Sequence, residues 1–277
     1  MEFRTQAPGP PLSDFIELLW YWDGPARPHY RERLLPDGSM ELVINLNEDE
    51  VRVYDRLDYR KFEKLRGAVM IGPHSQFFVI DTAEQQRVMG VHFKPGGAFP
   101  FLRLPADELH GLHVSLKDVW GRWAGELRDR LLEAQTVEQQ FGILEASLLA
   151  RISRPLLRHP AVAFALDQFH GGPHTRSIAD VTEQIGLSPR RFIELFRQQV
   201  GLTPKLFCRV RRFQRVVQRV PVAQEGGRRV DWSELALACG YFDQAHFIHD
   251  FRAISGLSPT AYAELRTGHT NHVPING

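Results

Sequence analysis

Six cations and no acid share the stretch "PKLFCRVRRFQRVVQRV" (204–220): Lys205, Arg209, Arg211, Arg212, Arg215 and Arg219. Cations of one sign along a helix-length segment suit a row of phosphates, where each displaces condensed counterions. A charged helical face is also commonly just solvated, and charge alone does not separate the two. Upstream, Arg190, Arg191, Ile193, Glu194 and Arg197 fall on the side of a helical register opposite Phe192, Leu195 and Phe196. Such a mix can read base edges: Arg grips guanine with two hydrogen bonds, Glu accepts from cytosine, and an aliphatic group meets the thymine methyl. Glu194 could equally just balance Arg190 or Arg197 on an exposed helix. A different chemistry is offered by His92, His74, Glu41 and Asp37, residue types of a metal cage as in cupin-like sites. No HxH or HxxxE spacing joins them, and a lone His between apolar neighbours generally packs. "KPGG" (94–97) lacks the ending of a phosphate loop and reads as a turn. No G-x-S-x-G is present. Cys208 and Cys239 make no CxxC, so they read as free thiols of a reducing compartment, and neither is placed to act as an alkyl acceptor.

The elements that must hold these residues are written twice. Phe192, Ile193, Phe196, Arg197, Gly201, Leu202 and Pro204 return 55 residues later as Phe247, Ile248, Phe251, Arg252, Gly256, Leu257 and Pro259. Ser188-Pro189 and Asp243 are N-cap signals, and Gly201 and Gly256 are stop signals. A shorter helix precedes each copy, "SIADVTEQIG" (177–186) and "DWSELALACG" (231–240), and ends in a glycine turn. Helix, short turn, helix is the unit whose second helix enters the major groove. The cationic stretch joins the two copies. Its apolar positions Leu206, Val210, Phe213, Val216, Val217 and Val220 mark an amphipathic helix. Seventeen residues at 1.5 Å rise span roughly 25 Å, a strut able to hold two reading helices about one DNA turn, ~34 Å, apart.

The rest of the chain is different in kind. Residues 1–104 carry β-branched and aromatic runs, Met40–Leu46, "VRVYDR", "GAVMIGPHSQFFVID" and "RVMGVHFKPGG", punctuated by Gly and Pro; they predict a mostly antiparallel β domain, a barrel or a sandwich. From 105 the period becomes helical: "SLKDVWGRWAGELRDRLLEA" and "VEQQFGILEASLLARI" predict two amphipathic helices of a connector, 105–158, that could pair subunits. Residues 159–268 form the repeated helical unit, "GGPHT" a short linker, and 269–277 a flexible tail. The fold class is therefore α+β, a β-rich N-terminal domain with following helices and an all-α C-terminal domain. Net charge is +1, yet residues from 171 onward hold 14 Lys+Arg against 9 Asp+Glu. The C-terminal part is the one fit to meet a polyanion. No apolar run reaches membrane-spanning length, and no secretory signal is expected. Trp20, Trp22, Glu41, Phe78 and His92 are candidates for an effector pocket, although aromatic clusters more often pack cores.

Residues 160–266, with "GYFDQAHFIHDFRAISGLSPTAY" at their end, resemble the DNA-binding domain of AraC/XylS-type bacterial transcription regulators. "LLPDGSMELVINL", "GVHFKPGG" and "FLRLPADEL" are similar to an uncharacterised sensor-like domain often fused to it. The resemblance implies a cytoplasmic regulator of double-stranded DNA, not an enzyme and without cofactor or metal, that answers a small-molecule effector, contacts RNA polymerase and forms a homodimer. The alternative is a cupin-like metal-dependent enzyme or metal sensor fused to the DNA-binding domain. By resemblance, base contacts fall on Arg190, Ile193 and Glu194, and on the matching positions Gln244, Ala245, His246, Ile248 and His249. Phosphate contacts suit Arg191, Arg197, Lys205, Arg209, Arg212, Arg228, Arg229 and Arg252. Asp243 and Asp250 argue for a looser phosphate grip by the second copy, unless Asp243 serves only as a cap. Thr182 departs from the family's small Ala and brings a hydroxyl that needs a partner.

Overall fold

The computed structural model describes residues 2–25, 31–84, 86–170, 177–224 and 230–275. The N-terminal strands are β1 (Glu2–Gln6), β2 (Ile16–Asp23), β3 (Arg31–Leu34), β4 (Glu41–Asn45), β5 (Val51–Tyr54), β6 (Phe62–Leu65), β7 (Ala68–Ile71), β8 (Phe78–Asp81), β9 (Arg87–Phe93) and β10 (His113–Ser115). A six-stranded antiparallel sheet runs β1-β2-β9-β4-β7-β10. Strand alternation sorts its side chains. Leu19 and Tyr21, Leu42 and Ile44, Met89 and Val91, and Ala68 and Met70 face a core shared with α1 (Leu116–Trp120), α2 (Trp123–Glu133) and α3 (Val137–Ala150). The other face carries Trp20, Trp22, Glu41, Val43 and His92.

A second sheet, β8-β3-β11, lies across that face. Its edge strand β11 (His272–Pro274) comes from the far end of the chain and pairs with β3. At one edge of the sandwich Phe78 meets His113 with ring centroids 4.7 Å apart. At the other, Phe3 meets His269 at 6.5 Å. The β-rich reading holds, as two facing sheets rather than a closed barrel, and β5 and β6 form a separate hairpin.

Three expectations change. The β domain does not end at 104, because β10 extends its sheet and α1–α3 cover its core. The helix expected over 115–134 breaks in two at Gly121, whose φ of 68° lies in the left-handed region. Residues 272–274 are a paired strand with Val273 fully buried, not a free tail.

The C-terminal helices are α4 (Pro160–His170), α5 (Ile178–Ile185), α6 (Pro189–Val200), α7 (Pro204–Ala223), α8 (Trp232–Ala238), α9 (Gln244–Ser255) and α10 (Pro259–Leu265). They form two apolar clusters. One joins α4, α5, α6 and Phe207 at the start of α7. The other joins α7 to α10 and also takes in Leu35, Phe77, Val79 and Val273 from the second sheet. The two domains therefore share a core. Phe77 N–H donates to Ile254 O (2.8 Å), and Gln214 Nε2 donates to Pro36 O (2.8 Å). Gly201 is needed twice over: its φ of 84° caps α6, and an added Cβ would lie 2.4 Å from Pro73.

Candidate DNA interface and N-terminal cleft

Helices α6 and α9 are built alike. Ser188 Oγ accepts from Arg191 N (3.3 Å), and Asp243 Oδ1 accepts from His246 N (2.7 Å). Each helix ends at a left-handed glycine. Each buries a phenylalanine pair, Phe192 with Phe196 and Phe247 with Phe251. The opposite faces are open: Arg190, Arg191, Ile193 and Glu194 on α6, and Gln244, Ala245, His246 and His249 on α9, are exposed. Arg252 is exposed as well. Asp243 is thus a cap. Thr182 donates to Ile178 O at 2.6 Å, so its hydroxyl is satisfied within α5.

Several sequence-predicted contacts have other partners. Ile248 packs against the apolar cluster of α7–α10 instead of projecting from α9. Glu194 pairs with Arg191 at 3.0 Å, one turn away and neither of the two partners expected. Arg197 is held by Asp107, which sits on a short 3-10 helix (Ala106–Leu109) of the N-terminal domain. Arg228 and Arg229, with the "GGPHT" linker, lie outside the described residues.

The strut is the main correction. Arg209 Nε and Arg212 Nη2 converge on Asp250 of α9 at 2.9 and 3.3 Å, and the Asp250 side chain is 7% exposed. The Arg212 guanidinium also lies 4.6 Å from the Tyr241 ring centre. Arg215 donates to Phe169 O (3.2 Å), and Arg219 donates to Ala238 O (2.7 Å). Arg211 is half-buried in the field of Asp37, and desolvation lowers its pKa. These cations staple helices together. Lys205 is exposed at the start of α7. Asp250 points inward to the arginines, so it does not weaken a phosphate grip.

Of the effector-pocket candidates, the structure brings Trp20, Glu41 and His92 together. Trp20 Nε1 donates to Glu41 Oε1 at 2.9 Å. His92 Nδ1 lies 3.9 Å from the same oxygen, and its Nε2 lies 3.1 Å from Asp37 Oδ2. Burial opposes charge on His92, but these two carboxylates raise its pKa to about 11. Hydrogen bonding to His92 also outweighs burial at Asp37 and lowers that carboxyl. Trp22 follows on the same face of β2, against Phe3. Phe78, on β8 of the second sheet, is not brought to them; it packs against His74 and, edge-on, His113. Burial pushes those two histidines down to about 3 and 4.

His92 Nε2 is turned to the Asp37 carboxylate within hydrogen-bond distance, and its Nδ1 faces Glu41 at longer range. Among the described residues no three His, Cys, Asp or Glu side chains are placed to hold one. "KPGG" closes as a turn, Gly97 N–H donating to Lys94 O (2.7 Å), and packs on α6 through Gly96 and Val200. Both cysteines are free; burial raises Cys208 to about 11 and also raises Cys239, which leaves unreactive thiols. Among the described residues no helix is long and apolar enough to cross a membrane.

Sequence reasoning did not find the turn Pro36–Gly38 as a link between domains. Pro36 O accepts from Gln214, Asp37 pairs with His92, and a Cβ on Gly38 would sit 3.3 Å from Phe207. The one available signal is Asp-Gly after Pro, which marks a turn but names no partner.

Residues 181–264 match a helix-turn-helix domain family, and residues 4–115 match a domain of unknown function (DUF6597). No curated protein matches the chain. Among solved structures, the chain is similar to apo ToxT of Vibrio cholerae strain SCE256 (11% identity, 90% of this chain and 97% of that one, TM-score 0.45). It is also similar to unsaturated fatty acid-bound ToxT of the same strain (11% identity, 91% and 96%, TM-score 0.46). An AraC-type transcriptional regulator of Chromobacterium violaceum is 24% identical over 34% of this chain and 80% of that chain, with a TM-score of 0.29.

Proposed function

We propose, from the premise that this chain is an AraC/XylS-type DNA-binding transcription regulator by its C-terminal domain, that α6 and α9 read two successive major grooves of one operator. The observation that carries this reading is the pair of helices, each N-capped by an oxygen side chain, ended by a left-handed glycine, anchored by two buried phenylalanines and presenting an exposed face that includes polar and cationic side chains. Arg190 supplies a two-pronged contact to guanine and Ile193 meets a thymine methyl. On α9, Gln244, Ala245, His246 and His249 face the bases. Arg191, Lys205 and Arg252 take phosphates and fix the register. Glu194 reads cytosine only after leaving Arg191.

The N-terminal domain acts as the sensor, with an effector in the cleft between its two sheets. Its state passes to the DNA-binding half through the turn 36–38, which touches both His92 of the cleft and helix α7. The Arg197–Asp107 pair adds a second link, directly onto α6. The protein works in the cytoplasm, without catalysis of its own, and α2 and α3 offer the surface for a second subunit. Contact with RNA polymerase follows from the same reading.

The test is enrichment of a duplex from a random library, followed by titration of the enriched and a scrambled duplex at one salt concentration. A specific regulator prefers the enriched sequence by roughly a thousandfold or more. Equal binding to both, at every salt concentration, would leave only a nonspecific polyanion binder.

A further inference from the structure

One loop of the N-terminal domain reaches the ends of both reading helices. It runs from Gly72 to Phe77, between β7 and β8. Pro73 lies against Gly201, the glycine that ends α6, where a Cβ would stand 2.4 Å from the proline ring. Phe77 lies against Gly256, the glycine that ends α9, where a Cβ would stand 2.6 Å from the phenyl ring. These two glycines hold the same place in the two copies of the repeat. Each ends its helix and also admits this loop. On the α9 side Phe77 N–H donates to Ile254 O (2.8 Å) and Gln76 Nε2 to Ala253 O (3.0 Å). On the α6 side Ala106 O also borders Gly201, and the neighbouring Asp107 holds Arg197.

The loop is itself anchored. Gly72 N–H donates to Leu112 O (2.9 Å), Gly111 N–H donates to Pro73 O (3.1 Å), and His110 Nε2 lies 3.3 Å from Ser75 Oγ. Arg33 and Arg56 flank the Phe77 ring, their guanidinium carbons 5.5 and 5.6 Å from its centre. Four backbone steps from Pro73 to Phe77 reach at most ~14 Å, so the two helix ends are tied at short range. The DNA-binding half has a use for such a tie. Its two apolar clusters share no residue and are joined through α7. A single strut lets each unit pivot at its corner; a strut with a second tie does not. Helices α6 and α9 have 12 residues each. At 1.5 Å per residue each is about 18 Å long, and a tilt of ~10° about the glycine end moves the far end by about 3 Å. That is close to one base step of ~3.4 Å.

On the reading that α6 and α9 take successive major grooves, we infer that loop 72–77 sets the spacing between half-sites that the protein accepts. Pro73 and Phe77 are positioning residues, acting on DNA through the ends of α6 and α9. The N-terminal domain thereby takes part in operator choice without meeting a base.

The test starts from the operator that the full natural chain enriches. Duplexes are made with one base pair added to, or removed from, the segment between its half-sites. The natural chain is expected to bind either one at least about tenfold more weakly, because DNA or protein must deform to restore register. Two glycines inserted between Ser75 and Gln76 keep both end contacts and lengthen the tie. That variant is expected to hold the natural spacing within about threefold, the small entropy of a longer loop, and to bind both altered duplexes within about threefold of it. Phe77→Leu keeps an apolar side chain in the core but takes the ring from Gly256; it is expected to relax spacing likewise and decides the matter if the insertion does not fold. A general loss of stability would weaken every duplex equally and leave the spacing ratio where it was. An unchanged ratio in the folded variants would overturn the proposal and leave the two-groove reading intact. Tighter binding of every duplex by the insertion variant would mark the loop as a restraint opposing DNA, and would overturn it too. An enriched operator without a second half-site would remove the two-groove reading and the proposal with it.

Discussion

Arg212→Ala separates the two uses a cation on α7 can have. The side chain gives up an ion pair to Asp250 at 3.3 Å and a position 4.6 Å from the Tyr241 ring. Asp250 keeps Arg209 at 2.9 Å, so its charge is not left alone, and the loss stays well below the 3–5 kcal/mol of a buried pair broken outright. About 1 kcal/mol for the ion pair, with Arg212 28% exposed, and about 1 for the ring contact make a loss of ~2 kcal/mol. In a chain of this size that lowers Tm by roughly 4–8 °C. Scanning calorimetry measures it. The same variant is then titrated with operator DNA from low to high salt. A phosphate contact would contribute about 0.9 to the slope of log K against log salt. The structure engages Arg212 with Asp250 and the Tyr241 ring, so the slope is expected to stay unchanged once unfolding is excluded. An unaltered Tm together with a slope shallower by about 0.9 would refute the structural role of this arginine and restore it to the DNA surface.

Other perturbations reach the rest of the molecule. Gly90→Ala drives a methyl into the Trp20 indole and Leu42 O, each 2.5 Å from the new Cβ, and is expected to cost about 1–3 kcal/mol in urea unfolding and to shift tryptophan emission. His92 has a folded pKa raised to about 11, so its contribution is full below the unfolded value and is lost as pH rises through the folded one. Denaturant titrations from pH 7 to 11 should therefore show a decline in stability that Asp37→Asn makes smaller. Truncation after Arg266 removes β11 and the buried Val273, and is expected to lower Tm and expose the edge of β3.

The C-terminal helices were legible because their start and stop signals are local. Ser188-Pro189, Asp243, Gly201 and Gly256 each act within one turn of their own position, and the repeat doubles the signal. The exposed face of α6 was legible for the same reason. The strut was not. A run of arginines states charge but not direction, and the carboxylate that orients Arg209 and Arg212 sits 38 to 41 residues away on α9. Arg197 was misread in the same manner, since Asp107 is 90 residues distant. Strand β11 has three residues, one of them proline, and no alternation long enough to register. In the N-terminal domain, strand pairing brought Trp20, Glu41 and His92 side by side through β2, β9 and β4. Sequence could propose the trio by residue type, but the cross-strand register alone makes it a site.

The central claim is that two matched helices read bases side by side. It is tested most directly by comparing the sequences that the natural chain, Arg190→Ala and His249→Ala each enrich from a random duplex library. Two half-sites about 10 base pairs apart are expected, with Arg190→Ala losing preference at one base pair of one half-site, at a cost of about 1–3 kcal/mol, and His249→Ala acting only on the other. Identical enriched sequences for all three proteins would contradict the account.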